Sequence, residues 1–264
     1  MPTTALHAST MGHRHGAGHR LVLAHGFTQT GRLWGGLAED LAVDHELVLV
    51  DLPGHGGSSD VRADLWHGAA LLGAAGGPGD YLGYSMGARF CLHLALARPD
   101  LVRRLVLVSG TAGIDDADER RARRSSDEAL ARRLDPGDGT PPEDSVATFV
   151  DRWVSNPLFG HVPDAATGID ERRRNTSTGL ASSLRLAGTG TQEPLWDRLG
   201  GLTMPVLVVT GARDGKFTEL GRRLTDSVGG PVTHVTIDHA DHAPHLQRTA
   251  DVAEAVSTFL DGTD

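Results

Sequence analysis

Short, almost continuous apolar runs recur along the chain at residues 21–24, 46–50, 80–84, 104–109, 205–210 and 232–237. Most are bounded by Gly, Pro, Asp or Ser and read as strands, and 205–210 has the continuous apolar pattern of a parallel strand buried on both faces. Longer stretches with helical spacing separate most of them. This alternation predicts an α/β fold, a mostly parallel sheet with helices on both faces. Between Gly113 and Gly201 the strand signal stops, and helical patterns are broken by Pro136, Pro141-Pro142, Pro157 and Pro163, as expected of an inserted helical lid. The expected organisation is a first part of the core over residues 1–112, a lid over 113–200 and a second part of the core over 201–264. No repeat of solenoid period is present.

Within this frame, Gly83-Tyr84-Ser85-Met86-Gly87 fits the G-x-S-x-G pattern, following an apolar run and opening into a helical segment. A serine on so sharp a turn projects its hydroxyl out of the backbone, which makes Ser85 a candidate nucleophile or base. Its partners should follow in the order carboxylate, then histidine. Asp214 lies in the Gly211-Ala212-Arg213-Asp214-Gly215 turn that ends the fifth apolar run, and His239, His242 and His245 follow the sixth. His242, in Asp241-His242-Ala243-Pro244-His245, is the favoured base because it lies far enough past the strand to swing back over the sheet edge. The three-residue histidine spacing lacks the H-E-x-x-H carboxylate, and Pro244 disfavours the helix such a zinc motif needs, so no metal site is assigned.

Proton abstraction or acyl transfer also needs donors for developing negative charge. The backbone N–H of Met86 is one candidate. The other is that of Phe27, in the His25-Gly26-Phe27-Thr28 loop after the first run. His25 is expected to support this loop and receives no catalytic role.

Composition narrows the partners. At 264 residues the chain is long enough for one enzyme-sized domain, and its formal charge of −9 argues against nucleic acid. Cys91 is the single cysteine, so no intramolecular disulfide forms, and a packed thiol in a reducing cytoplasm is expected. No apolar run approaches membrane-spanning length. Residues 1–20 lack the apolar core of a signal peptide, and His13, His15 and His19 read as a polar lead-in. No obligate protein partner is expected.

The cations are more informative. Arg89 lies in the first turn after Ser85, where the positive end of the helix dipole opposes it, so an anion is expected nearby: a substrate carboxylate or an Asp or Glu of the protein. The lid adds Arg120, Arg121, Arg123, Arg124, Arg172, Arg173 and Arg174. Because Lys216 is the single lysine, arginine is the default cation here, and most of these residues are expected on solvated helix faces.

From about residue 20 onward the chain resembles the α/β-hydrolase superfamily, through His25-Gly26-Phe27, Asp51-Leu52-Pro53-Gly54-His55-Gly56 and the Ser85 turn. Within that superfamily it resembles the 2-succinyl-6-hydroxy-2,4-cyclohexadiene-1-carboxylate synthases of menaquinone biosynthesis. That likeness rests on Arg89, on 119–127 with Arg123, on 149–159 with Trp153, on 174–185, on Gly188-Thr189-Gly190-Thr191-Gln192, and on the turn 211–217. The resemblance implies a carbon–oxygen lyase that eliminates pyruvate from 2-succinyl-5-enolpyruvyl-6-hydroxy-3-cyclohexene-1-carboxylate without metal or organic cofactor. It implies Ser85, Asp214 and His242 as catalytic residues and Phe27 and Met86 as oxyanion donors. Arg89, Arg123 and Arg174 would bind the carboxylates of a small polycarboxylate substrate, with Tyr84 and Trp153 shaping the pocket. Two other readings use the same fold: a serine hydrolase of esters or carbon–carbon bonds, and a non-catalytic small-molecule receptor.

Overall fold

The computed structural model describes residues 5–12, 20–160 and 162–262. His13, His15 and His19 lie outside the described residues. The six expected strands are present: β2 (Arg20–Ala24), β3 (Glu46–Val50), β4 (Gly79–Tyr84), β5 (Val102–Val108), β6 (Val206–Gly211) and β7 (Val232–Ile237). A seventh, β1 (Ala8–Met11), precedes them and pairs antiparallel with β3 at one edge. Its residues are all exposed, so no inside–outside alternation marks it in the sequence. The remaining pairs are parallel, in the order β1-β3-β2-β4-β5-β6-β7.

Both faces of this sheet are covered, because alternate residues of the same strands point to opposite cores. Val22, Val48, Leu105, Leu107 and Val206 face one core with Leu65, Leu72, Phe90 and Leu94. These last come from α2 (Leu65–Gly76) and α3 (Met86–Ala97), the former capped by the Asp64 carboxylate accepting from the His67 N–H. Leu21, Leu23, Leu47, Val106, Leu207 and Val209 face the other core. There they meet Leu37 and Leu41 of α1 (Gly36–Leu41) and Val252, Val256 and Leu260 of a C-terminal helix, Thr249–Asp261. No helix among the described residues is long and apolar enough to cross a membrane.

Between β5 and β6 the chain is helical: α4 (Ala117–Leu134), α5 (Val146–Val154), α6 (Asp164–Thr167), α7 (Ile169–Arg172) and α8 (Ser177–Ala187). This insertion has its own small core of Ala131, Leu134, Phe149, Leu180, Ala181 and Leu184. After β6 come α9 (Gly215–Ser227), then β7, α10 (Pro244–Gln247) and α11 (Thr249–Asp261).

Sheet order places the site. After β2 the chain crosses to β3 on one side, whereas β4 lies on the other, so the loops leaving the carboxyl ends of β2 and β4 diverge and open a crevice between them. Those loops carry Phe27 and Ser85.

Candidate active site

Ser85 joins β4 to α3 with φ 50° and ψ −103°, a left-handed conformation that a non-glycine residue adopts only under constraint. Its N–H donates to the Val108 carbonyl (2.9 Å), which ties the turn to β5. The flanking glycines are required by space: a Cβ at Gly83 would lie 2.5 Å from the Ala88 nitrogen, and one at Gly87 would run into the Ala24 carbonyl oxygen. Held this way, Ser85 Oγ lies 3.0 Å from His242 Nε2, and His242 Nδ1 lies 2.8 Å from Asp214 Oδ2. The other Asp214 oxygen accepts the Phe217 N–H (3.1 Å), so the carboxylate is also the N-cap of α9. This bonding sets the tautomer: Nδ1–H donates to Asp214, leaving Nε2 to accept from the serine hydroxyl. The chain Ser85–His242–Asp214 can therefore pass a proton from the hydroxyl to the imidazole.

The other two histidines stand apart from this chain. His239 is exposed. His245 is fully buried, its ring 4.2 Å from that of Tyr84 and 5.4 Å from that of Trp34, and burial pushes it down to about 3.

Among the described residues, neither the Phe27 nor the Met86 N–H donates to a protein acceptor. The loop carrying Phe27 is braced by two buried neutral histidines. His25 Nδ1–H donates to the Gly26 carbonyl (2.8 Å) while its Nε2 accepts the Leu52 N–H (3.0 Å). His55 mirrors it, donating from Nδ1 to the Pro53 carbonyl (3.0 Å) and accepting the Thr28 N–H at Nε2 (3.2 Å). Burial lowers His25 to about 4 and His55 to about 3, so both stay uncharged near neutrality. Sequence reasoning gave His55 no role. Its signal was the second His-Gly pair, Gly54-His55-Gly56, at the end of β3.

Ser85, Met86 and His242 open onto a cavity of about 460 Å³ also lined by Phe27, Tyr84, Arg89, Arg123, Trp153 and Arg172. Arg89 is only 6% exposed. Its guanidinium donates to the Ala187 carbonyl (2.7 Å), and no carboxylate among the described residues lies within ion-pair distance. Burial, reinforced by nearby Arg123, lowers it to about 10 despite the opposing charge of Asp127. Arg123 Nε bonds Asp127 Oδ1 (2.8 Å), and Asp127 also accepts the Gly190 N–H (3.1 Å); the adjacent Arg124 is exposed. Trp153 stacks on Phe149 and meets Phe27 edge-on, with centroids 6.2 and 4.9 Å apart.

Arg174 is not brought into this group. Its side chain is 65% exposed and 3.5 Å from Glu171. Arg172, two residues earlier, is the buried one, donating to Thr28 Oγ1 (2.6 Å) and the Thr167 carbonyl (2.7 Å), and burial lowers it to about 10. The difference follows from the end of α7: Asn175 Nδ2 donates to the Thr28 and Arg172 carbonyls, which fixes the turn with Arg172 inward and Arg174 outward. Lys216 and Arg223, given no role from sequence, line the same cavity. Arg223 is engaged by Asp115 (2.5 Å) and covers the Trp196 ring (3.8 Å).

A sequence profile described as the alpha/beta hydrolase fold matches residues 19–249. The chain belongs to this family. Within the α/β-hydrolase family it is 31% identical over 249 residues to 2-succinyl-6-hydroxy-2,4-cyclohexadiene-1-carboxylate synthase of Klebsiella pneumoniae (strain 342), covering 91% of this chain and 93% of that one. It is also 31% identical over 263 residues to a pimeloyl-[acyl-carrier protein] methyl ester esterase of Xanthomonas campestris pv. campestris (strain B100), covering 97% and 98%. Among solved structures, MenH from S. aureus superposes with a TM-score of 0.86 at 25% identity, covering 96% of this chain and 97% of that one.

Proposed function

We propose that the protein is a carbon–oxygen lyase of the synthase type, eliminating pyruvate from 2-succinyl-5-enolpyruvyl-6-hydroxy-3-cyclohexene-1-carboxylate in menaquinone biosynthesis. The observation that carries this reading is Arg89: a buried guanidinium without a carboxylate partner among the described residues, in the same cavity as Ser85. A desolvated cation held this way favours an anionic ligand, and a planar guanidinium fork suits a carboxylate. Arg123 and Arg172 supply two further forks, which suits a ring bearing several carboxylates better than a neutral ester. Helices α4–α8 serve as the lid, Tyr84 and Trp153 shape the pocket, and the reaction takes place in the cytoplasm.

In this mechanism Ser85 Oγ accepts the proton α to the succinyl ketone while its own proton passes to His242 Nε2. Asp214 stabilises the imidazolium that forms. The resulting enolate oxygen takes hydrogen bonds from the Phe27 and Met86 N–H groups. Its electrons return through the ring alkene and expel the enolpyruvyl oxygen, which receives the proton and tautomerises to pyruvate. The ring gains its second double bond, and no acyl-enzyme forms.

The esterase relative, at equal identity, supports a second reading, in which Ser85 attacks an ester carbonyl and water releases the acyl group. Parallel turnover of the cyclohexene precursor and of a dicarboxylate monomethyl ester separates the two. A kcat/KM for pyruvate release at least about a hundredfold above that for the ester is expected of the lyase; the reverse ranking assigns the protein to the esterases.

A further inference from the structure

The Phe27 N–H shares a peptide group with the Gly26 carbonyl and, in a trans peptide, points away from it. Gln29 grips both sides of that glycine: its backbone N–H donates to the Gly26 carbonyl (3.1 Å), and its Oε1 accepts the Gly26 N–H (2.9 Å). The other end of the carboxamide is unanswered. Gln29 Nε2, Trp34 Nε1 and both ring nitrogens of His245 meet no hydrogen-bonding group among the described residues. These three residues are only 1%, 1% and 0% exposed. All lie around the Tyr84 ring. A Cβ at Gly26 would stand 2.6 Å from Tyr84 Cε1 and 3.2 Å from Gln29 Oε1, so the ring and the carboxamide are neighbours. His245 packs 4.2 Å from the Tyr84 ring and 5.4 Å from that of Trp34. Burial, reinforced by the charge of Arg172, holds His245 neutral, so one of its nitrogens donates and the other accepts.

Buried polar atoms are nearly always bonded, to the protein or to an internal water. The set here is two N–H donors and one imidazole acceptor. An anion could take both donors but would face the imidazole lone pair. Water suits all three, accepting twice and donating once. We propose that Gln29, Trp34 and His245 together hold one internal water molecule behind Tyr84, which makes Trp34 and His245 positioning residues for the Phe27 N–H. The water accepts from Gln29 Nε2 and so fixes the carboxamide with its Oε1 on Gly26. The remaining His245 N–H is left for the Tyr84 ring, a weak acceptor. Without the water, a buried Nε2 stands unpaired and the carboxamide gains by turning away. The Gly26–Phe27 segment then loses one of its two clamps, and the Phe27 N–H loses its aim.

The inference takes the Phe27 N–H as the oxyanion donor of the proposed lyase, but its tests use no lyase substrate. A high-resolution crystal structure should show a solvent peak within hydrogen-bonding distance of Gln29 Nε2, Trp34 Nε1 and one His245 nitrogen. No peak, or one that leaves out any of the three, overturns the proposal. The rate at which a neutral alkyl fluorophosphonate labels Ser85 reads the consequence, because its phosphoryl oxygen takes the Phe27 N–H in the transition state. His245→Phe keeps a ring but offers the water no acceptor, and should slow labelling at least about fivefold. His245→Gln, whose carbonyl can accept from the water, should restore most of that loss, which a packing role would not. Trp34→Phe combined with His245→Phe should be no more than about twofold slower than the slower single variant. A folded His245→Phe that labels less than about fivefold more slowly than wild type, a His245→Gln no faster than it, or losses that multiply in the double variant would each overturn the proposal. If His245→Phe does not fold, the solvent peak decides the matter alone. Failure of the lyase assignment would leave all of these readings unchanged, so the two claims fail separately.

Discussion

Under the proposed lyase function, replacing Arg89 by Met should abolish turnover of the polycarboxylate precursor while making the free protein more stable. The substitution keeps an unbranched chain in a buried position, removing the charge and the donor to the Ala187 carbonyl. Burial lowers this guanidinium from its ordinary value to about 10, so keeping it charged in the free protein costs on the order of 3 kcal/mol. The hydrogen bond lost is worth roughly 1–2 kcal/mol, leaving a net gain of about 1–2 kcal/mol, or some 2–6 °C in Tm for a chain of this size. With substrate bound the sign reverses. An unpaired carboxylate in a desolvated pocket costs about 3–5 kcal/mol, a loss of roughly 150- to 5,000-fold in kcat/KM. Coupling pyruvate release to NADH oxidation by lactate dehydrogenase measures the second effect, and calorimetry measures the first. Hydrolysis of a small neutral ester, which needs Ser85 but no guanidinium, should stay within about threefold of wild type. A variant that loses stability and retains pyruvate release would refute the idea that Arg89 is held uncompensated for a substrate carboxylate.

Paired variants separate the inward from the outward arginine at the end of α7: Arg172→Met should lower kcat/KM for pyruvate release at least about thirtyfold, whereas Arg174→Met should stay within twofold. Equal losses would contradict the geometry at the end of α7. Acid should unfold the protein early. His25, His55 and His245 have folded-state values of about 4, 3 and 3, below their ordinary unfolded value, so the unfolded chain binds protons first. Their contribution is complete above roughly pH 6.5 and is lost as pH falls towards 4, each removing up to about 1.4 kcal/mol per pH step. Urea titrations at pH 7 and 5 should show the fall, and His245→Phe should lessen it; a pH-independent midpoint would contradict neutral buried imidazoles.

The strands and the Ser–His–Asp chain were legible because their signals are local. Six apolar runs each mark a strand, five of them largely buried, and Ser85, Asp214 and His242 follow the ends of three of the six. What stayed hidden depends on tertiary contacts. β1 is exposed on every residue and exists because β3 offers it an open edge. Three consecutive arginines, 172–174, carry no internal sign of which one turns inward; Asn175 bonding across to Thr28 decides it. The bracing by His55 joins segments 27 residues apart, beyond the reach of any periodicity.

The proposed elimination depends on proton removal by the Ser85–His242–Asp214 chain. Its most direct test is pyruvate release from freshly prepared cyclohexene precursor by wild type and by Ser85→Ala, each read against the spontaneous rate. Release by wild type is expected at least about a thousandfold above background, with a fall of a similar factor in Ser85→Ala. Wild-type release at the spontaneous rate, or an undiminished rate in Ser85→Ala, would contradict it.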